Sequence, residues 1–213
     1  MYYERLGVDQ NYQKAFEWIE QAANQGYANA QFDLGVIYNE GIAVEQDEIK
    51  KLEWFQQAAN QGYTDAQFNL GIMYHESIGI EQGYQKAMQW YLLAANNGSF
   101  DAQNNIGNFY EYGYGVTQDY DKAFEWYTKA ADQGLDVAQL NIGGLYENGY
   151  GVPQDYDKAF EWYKKAAEQG NQEASNRIGR LVINGKIDDT GITIYSTQET
   201  GLTLGYIEDS LRN

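Results

Sequence analysis

Apolar and polar residues repeat along this chain with the spacing of amphipathic helices. In the stretch DYDKAFEWYKKAAEQG, residues 155–170, the charged side chains occupy one side of a 3.6-residue helix. The other side is apolar and holds Tyr156, Ala159, Phe160, Trp162, Tyr163, Ala166 and Ala167. Asp155 suits the N-cap position, because its carboxylate can accept hydrogen bonds from the free N–H groups of a first turn. Gly170 suits the left-handed position after a helix, so the pattern predicts a helix between these two residues.

A second helix is predicted over the motif Ala-Gln-x-x-Ile/Leu-Gly-x-x-Tyr, as in Ala138 to Tyr146. A glycine inside a helix costs about 1 kcal/mol relative to alanine. Gly143 therefore indicates a place where a neighbouring helix comes close, because a small residue permits that approach. The motif is followed by Gly-Tyr-Gly-Val at residues 113–116 and 149–152, which predicts a turn into the next helix.

The two-helix unit recurs every 36 residues. The chain has five tryptophans, and they are Trp18, Trp54, Trp90, Trp126 and Trp162. Lysine keeps the same step at Lys14, Lys50, Lys86, Lys122 and Lys158, as do an Ala-Ala pair and two glycines. The predicted caps of the first helices are Asn11, Asp47, Gly83, Asp119 and Asp155, of which the glycine is the weakest. This regular spacing is typical of a helical repeat array.

Stacked hairpins bury the apolar faces that one hairpin cannot bury alone, so the array predicts an all-α, right-handed α/α superhelical solenoid. Its five helix-turn-helix repeats are expected at residues 11–46, 47–82, 83–118, 119–154 and 155–187, within a solenoid domain of residues 1–187. The first helices are expected on the concave side. Residues 188–213 leave the pattern and are expected to form a C-terminal cap or tail. Alternation between Gly191 and Gly205 indicates a short β-hairpin there.

The chain resembles the Sel1-like repeat family, which is related to the tetratricopeptide repeats. The resemblance covers about residues 11–187 and rests on Tyr-x-Lys-Ala-x-Glu-Trp-Tyr-x-Lys-Ala-Ala-x-Gln-Gly, the Ala-Gln-x-Asn-Leu/Ile-Gly core and the Gly-Tyr-Gly-Val turn. It implies an α/α superhelix that serves as an adaptor or scaffold; some bacterial members neutralise toxins. Many secreted members staple each repeat with a disulfide. This chain has no cysteine, which excludes that subgroup.

The start of the chain also fits the repeat. Counting back four periods aligns Tyr2, Gly7 and Val8 with Tyr146, Gly151 and Val152. The chain is therefore expected to begin inside the tail of an earlier repeat, either as its natural start or as a fragment of a longer protein.

Net charge narrows the class of partner. At −17, the chain repels phosphate backbones and anionic lipid headgroups, so we expect neither nucleic acid nor membrane as a partner. A basic protein would be attracted, while solubility alone is the alternative reason for the acidity. The residues from Met1 to Arg5 lack the features of a signal peptide, which favours a cytoplasmic location. The sequence does not indicate an oligomeric state.

Catalytic chemistry finds little support in these residues. His75 is the single histidine and is expected to be a surface residue, and no cysteine is present. The carboxylates follow the repeat, and Glu125–Lys129 and Glu161–Lys165 are predicted to be i,i+4 ion pairs. No phosphate-binding or calcium-binding motif occurs. We therefore predict no catalytic residues, no cofactor and no metal, with a carboxylate-based hydrolase as the alternative of another class.

The candidate partner site lies where the polar side of a first helix becomes apolar. The third repeat has Leu92-Leu93 where the fifth has Lys164-Lys165, and the second has Ile49 where the fourth and fifth have Asp121 and Asp157. The remaining residues of this predicted stripe are Gln56, Gln85, Gln89 and Asn96. Formal charges over the five repeats are −4, −4, −1, −4 and +1, so Leu92-Leu93 lies in a weakly charged repeat between acidic ones.

These features predict a non-enzymatic scaffold or adaptor that binds a partner protein on its concave face. Full burial of the two leucines would contribute about 3–6 kcal/mol before opposing costs. The alternative for the leucines is packing against an adjacent first helix. The alternative function is an immunity protein that neutralises a secreted toxin by binding it.

Overall fold

In a computed structural model, residues 12–77 and 83–187 are described in full, and residues 192–197 and 201–206 as backbone. The described residues contain ten helices in five pairs. They are α1 Tyr12–Asn24, α2 Ala28–Glu40, α3 Glu48–Asn60, α4 Thr64–Glu76, α5 Tyr84–Asn96, α6 Phe100–Tyr112, α7 Tyr120–Ala131, α8 Asp136–Asn148, α9 Tyr156–Glu168 and α10 Gln172–Ile183. The predicted fold class, an all-α solenoid of helical hairpins, is confirmed. Residues group into two compact units, 1–99 and 100–213, here called the N-terminal and C-terminal units.

The predicted aspartate caps form. Asp47 accepts from the backbone N–H groups of Ile49 and Lys50, and Asp119 and Asp155 accept from the residues three positions later. Gly83 precedes α5 without a side-chain cap, because glycine has no side chain that could accept a hydrogen bond. Asn11 lies outside the described residues. Gly170 follows α9 with a φ of +93°, the left-handed conformation predicted for it.

The glycine inside each second helix allows the close approach that its position predicts. A Cβ added to Gly35 would lie 2.5 Å from ring carbons of Phe55, and one added to Gly143 would lie 2.5 Å from ring carbons of Tyr163. Each glycine therefore receives the aromatic ring found twenty residues later, on the next first helix. The fully buried Tyr163 shows that this contact belongs to the core.

In three of the hairpins, the tryptophan of the following hairpin packs against the buried core. Trp54 packs against the cluster around Phe16 and Leu34, and Trp90 against the cluster around Phe55 and Leu70. Trp162 does the same to the cluster around Tyr127 in the C-terminal unit. The regular tryptophan spacing thus reflects a contact between successive hairpins.

The C-terminal segment forms an antiparallel pair of strands, β1 Ile192–Thr197 and β2 Gly201–Tyr206. Ile192 is opposite Tyr206 and Thr197 is opposite Gly201. The backbone of β2 lies beside α10. These strands fall within the segment where alternation predicts a hairpin. Among the described residues, no helix combines the length and apolarity needed to cross a membrane.

Candidate protein-binding surface

The seven residues of the predicted site lie on first helices of the N-terminal unit. Ile49 and Gln56 belong to α3, and Gln85, Gln89, Leu92, Leu93 and Asn96 belong to α5. The three apolar members all reach solvent, with exposed fractions of 69% for Ile49, 36% for Leu92 and 45% for Leu93. Neither leucine is buried, although more than half of each is already covered within the chain.

Helix spacing places Gln85, Gln89, Leu92 and Asn96 along one side of α5, and Ile49 and Gln56, seven positions apart, along one side of α3. Ile49 and Gln85 lie in the first turns of their helices, whereas Leu92 and Leu93 lie in the third turn of α5. An offset of eight helical positions corresponds to about 12 Å along the axis. Leu92 and Leu93 also point about 100° apart around the helix.

Trp90 identifies which side of α5 faces the preceding hairpin, because it packs against that hairpin's core. Leu93 follows Trp90 by three residues and therefore shares this side. On α3, Gln56 donates to the side chain of Asn60 at 3.1 Å, which leaves a polar rim beside the apolar group. The surface defined by α3 and α5 is here called the α3/α5 face.

The C-terminal unit presents a different first-helix surface. Lys129 lies with its Nζ 3.8 Å from the ring centroid of Trp126, and Lys165 lies 3.9 Å from that of Trp162. The structure therefore corrects the predicted i,i+4 pairs Glu125–Lys129 and Glu161–Lys165, because both lysines cover an indole ring instead. The ammonium groups lie over the aromatic faces, where the ring quadrupole attracts a cation.

The lysine that recurs near the start of the first helices contacts the helix before it. Lys50, Lys122 and Lys158 lie 4.9–5.3 Å from the ring centroids of tyrosines in the last turn of the preceding helices, and each pairs with its cap aspartate. Lys122 hydrogen-bonds Asp119, which raises the pKa of the lysine and lowers that of the aspartate. These lysines therefore join successive elements of the fold.

Two carboxylates that the hydrolase alternative could use are held separately by buried tyrosines. Tyr127 donates to Glu111 at 2.6 Å, and Tyr163 donates to Glu147. Burial, together with the adjacent glutamate, raises the pKa of each tyrosine, so the phenols stay protonated. Arg177 binds Glu147 at 3.5 Å, which gives this carboxylate a second partner. These contacts join second helices to the following first helices.

Lys51 is a buried cation, and the repeat pattern alone does not show whether its role is functional or structural. It occupies the place of Ala15, Ala87 and the later alanines, and it is 3% exposed. Its ammonium donates to Asn39 at 3.2 Å and pairs with Glu48. Phe55 lacks the hydroxyl that tyrosine supplies in later repeats, so Lys51 provides the donor at this junction. The one sequence signal for this contact is that a lysine replaces the alanine that the other repeats carry at this position.

His75 is half-buried, which corrects the expectation that it is a surface residue. Its ring contacts Tyr84 at a centroid distance of 5.8 Å. Burial lowers its pKa, an effect that the nearby Glu76 opposes. Within residues 12–77 and 83–187, no three histidine, aspartate or glutamate side chains converge as metal ligands would.

The Sel1 repeat family model matches residues 1–27, 28–63, 64–99, 100–135 and 136–171. The chain belongs to the Sel1-repeat family. In this family frame, the Sel1 repeats from residue 28 onward each begin with a second helix and end after the next first helix. That frame keeps each glycine and the aromatic ring it receives within one repeat, as for Gly71 and Tyr91. Comparison with curated proteins gives no match.

Solved structures include further Sel1-repeat proteins. A protective antigen of uropathogenic Escherichia coli with an SLR fold is 41% identical, with a TM-score of 0.77 over 80% of this chain and 36% of the antigen. The chain thus spans about a third of that antigen's length. A Sel1 repeat protein from Oxalobacter formigenes is 37% identical, with a TM-score of 0.78 over 84% of this chain and 74% of that one.

An immunity protein from Pseudomonas aeruginosa is 24% identical, with a TM-score of 0.54 over 82% of this chain and 65% of that one. At this identity, the likeness shows the fold alone. Sel1-repeat proteins generally mediate protein–protein interactions as non-enzymatic scaffolds. The open first-helix surfaces of this chain agree with that class of function.

Proposed function

We propose that this Sel1-repeat protein is a non-enzymatic scaffold that holds a partner protein on the α3/α5 face. The supporting observation is the exposed pair Leu92-Leu93. The equivalent pairs in the other four repeats are Glu20-Gln21, Gln56-Gln57, Thr128-Lys129 and Lys164-Lys165, all polar. The part of this apolar pair that reaches solvent suits the centre of an interface. In a helical repeat array this face is expected on the concave side.

The exposed fractions limit how much binding energy the apolar residues contribute. Full burial of an exposed leucine or isoleucine is worth about 1.5–3 kcal/mol. Scaled by the exposed fractions, the two leucines together have about 1–2.5 kcal/mol left to contribute, less than the sequence suggests. Ile49 contributes about 1–2 kcal/mol on the same basis, because most of it is exposed. The isoleucine therefore matters as much as the leucine pair.

Charge around this face favours a partner of opposite sign. The described residues of the N-terminal unit contain ten Asp and Glu against four Lys, a net charge of −6. Complementary charge accelerates encounter and excludes acidic competitors, while adding little to affinity at an exposed rim. The apolar residues thus set affinity, and the acidity of the N-terminal unit favours a basic partner.

The test uses the full chain as bait and compares capture by wild type with capture by Leu92→Gln/Leu93→Gln. This pair is the one that the second repeat carries as Gln56-Gln57, so the substitution is compatible with a first helix. Val137→Gln is the matched control, because Val137 is 41% exposed and lies on a second helix of the other unit. Bound proteins are quantified by mass spectrometry, and circular dichroism checks the fold of each variant.

The double variant is expected to bind a specific partner at least about fivefold more weakly, as the loss of about 1–2 kcal/mol of binding free energy implies. Val137→Gln should bind that partner as wild type does, and Ile49→Gln should weaken binding by a factor similar to that of the double variant. Equal capture by wild type, the folded double variant and Ile49→Gln would refute binding at this face.

A further inference from the structure

Two tryptophans in the C-terminal unit are covered by lysines of their own helices. In both cases the lysine follows the tryptophan by three residues, so one helical turn brings the ammonium onto the indole. Lys129 covers Trp126 and Lys165 covers Trp162 at centroid distances of 3.8 and 3.9 Å. These pairs show where a cation sits against the recurring first-helix tryptophan.

In the N-terminal unit, the residue three positions after the tryptophan is not a cation. The residue three positions after Trp54 is Gln57, and the residue three positions after Trp90 is Leu93. Both tryptophans are partly exposed, and each packs against the core of the preceding hairpin. The aromatic platform is therefore present in both units, whereas the cation that covers it is present in one.

Other lysines of the N-terminal unit are engaged elsewhere. Lys50 lies over Tyr38, Lys86 lies over Tyr74, and Lys51 is buried against Asn39 and Glu48. The described part of this unit nevertheless has a net charge of −6. Exposed Glu53 directly precedes Trp54, which places a carboxylate one helical position from the indole. The residue before Trp90 is Gln89, so in that repeat the indole itself and the net acidity of the unit are what would attract an ammonium or guanidinium group.

We propose that Trp54 and Trp90 each accept a lysine or arginine side chain from the partner protein against the indole, the kind of contact that Lys129 and Lys165 make within the C-terminal unit. This inference rests on the proposed binding role of the α3/α5 face and adds the chemistry of its partner. The partner segment is accordingly basic, with a lysine or arginine side chain for each of the two tryptophans.

Leucine-to-lysine substitutions test this without removing a core tryptophan. Leu93→Lys would place an ammonium over Trp90, as Lys165 does over Trp162, whereas Leu92→Lys adds the same charge about 100° away around the helix. Both substitutions install the residues that the fifth repeat carries at these positions. The probe is a fluorescein-labelled peptide of Lys-Ser-Ser repeated four times, and Glu-Ser-Ser repeated four times is the charge control.

Affinity for the full chain is measured by fluorescence anisotropy at two salt concentrations. The lysine peptide is expected to bind wild type and the glutamate peptide is not. Leu93→Lys should weaken binding by about two- to fivefold beyond the loss seen in Leu92→Lys. The reciprocal substitution Lys165→Gln, which uncovers Trp162, should strengthen binding more than the charge-matched Lys164→Gln.

Equal losses in Leu92→Lys and Leu93→Lys would overturn the inference, because general charge repulsion would then explain both. Failure of the lysine peptide to bind would overturn it as well. If either of these results were obtained while Leu92→Gln/Leu93→Gln still lost the captured partner, the apolar binding face would stand and only its cationic occupant would be wrong. If capture did not depend on the leucines, yet Leu93→Lys selectively weakened peptide binding, the tryptophan site would stand without the leucine anchor.

Discussion

Gly143 and Gly144 are neighbours in α8, yet replacing each by alanine is expected to change stability in opposite directions. Helix propensity alone favours both substitutions by about 1 kcal/mol. At Gly144 the new Cβ would meet only the hydroxyl of Tyr163, at 3.8 Å, which is an ordinary contact. Gly144→Ala should therefore stabilise the protein by up to about 1 kcal/mol.

At Gly143 the same methyl group meets the core. It would lie 2.5 Å from two ring carbons of Tyr163 and 3.2 Å from the carbonyl oxygen of Ala159. Carbon atoms pack at about 3.5–4.0 Å, so the ring would have to move by about 1 Å. Tyr163 is fully buried and its hydroxyl is bound to Glu147, which opposes that movement. Overpacking costs about 1–3 kcal/mol, so Gly143→Ala should lose up to about 2 kcal/mol net.

The measurement is thermal unfolding followed by far-ultraviolet circular dichroism, where 1 kcal/mol corresponds to about 2–4 °C in a protein of this size. Native-state hydrogen exchange in α8 and α9 adds local resolution, because repeat arrays can unfold in parts. Tyr163→Ile, which introduces the residue found at Ile19 in the first repeat, should relieve the clash in combination with Gly143→Ala. Gly143→Ala that is as stable as Gly144→Ala would refute the close-packing explanation.

Three further substitutions examine polar contacts of the fold. Tyr163→Phe removes the hydrogen bond to Glu147 and should cost about 1–2 kcal/mol by urea unfolding, while exposed Tyr150→Phe should be neutral; equal stability of the two variants would contradict a structural role for the hydroxyl. Asp155 has a pKa below its usual 3.8, chiefly because the Lys158 backbone N–H donates to its carboxylate. The cap therefore stabilises the folded protein fully above pH 3.8, and this stabilisation is lost as the pH falls through the lowered pKa. Asp155→Asn should therefore flatten the acid limb of a Tm-against-pH curve, and an unchanged limb would exclude this linkage. Gln67→Leu removes the donor to the Ala59 carbonyl at 3.2 Å and the acceptor for Asn97 at 3.0 Å, with an expected cost of about 1–3 kcal/mol by urea unfolding; wild-type stability would show that water replaces both contacts.

The parts of the fold that recur in every repeat could be predicted from the sequence. Each helix boundary has a local chemical signal, such as the cap carboxylate of Asp119 or the left-handed Gly134. Five copies of the same pattern separate these signals from chance, so even the contact made by Gly107 could be anticipated in kind. The identity of its partner, Tyr127, required the structure, because sequence period shows which side of a helix is buried but not what covers it.

Contacts that differ between repeats could not be predicted in the same way. Lys51 reads as an isolated substitution for alanine, and its meaning depends on Asn39, twelve residues earlier on another helix. The exposure of Leu92 and Leu93 likewise depends on how much of each stem the neighbouring helices cover. Helical spacing placed both leucines on the polar side, but it could not show that each was already more than half covered. These features arise from tertiary packing, which a single repeat does not encode.

The lysines of the C-terminal unit show how two local rules compete at one position. Lys129 can reach Glu125 four residues earlier or the indole of Trp126 three residues earlier. An exposed i,i+4 ion pair contributes about 0.2–0.5 kcal/mol, whereas a cation over an indole contributes about 0.5–1 kcal/mol at an exposed site. The indole also covers the methylene stem of the lysine, which the carboxylate cannot do. The observed geometry follows this order, since both Lys129 and Lys165 lie over rings. Where Gln57 or Leu93 replaces the lysine, the indole loses its own cation, and a single position per repeat thereby distinguishes the surfaces of the two units.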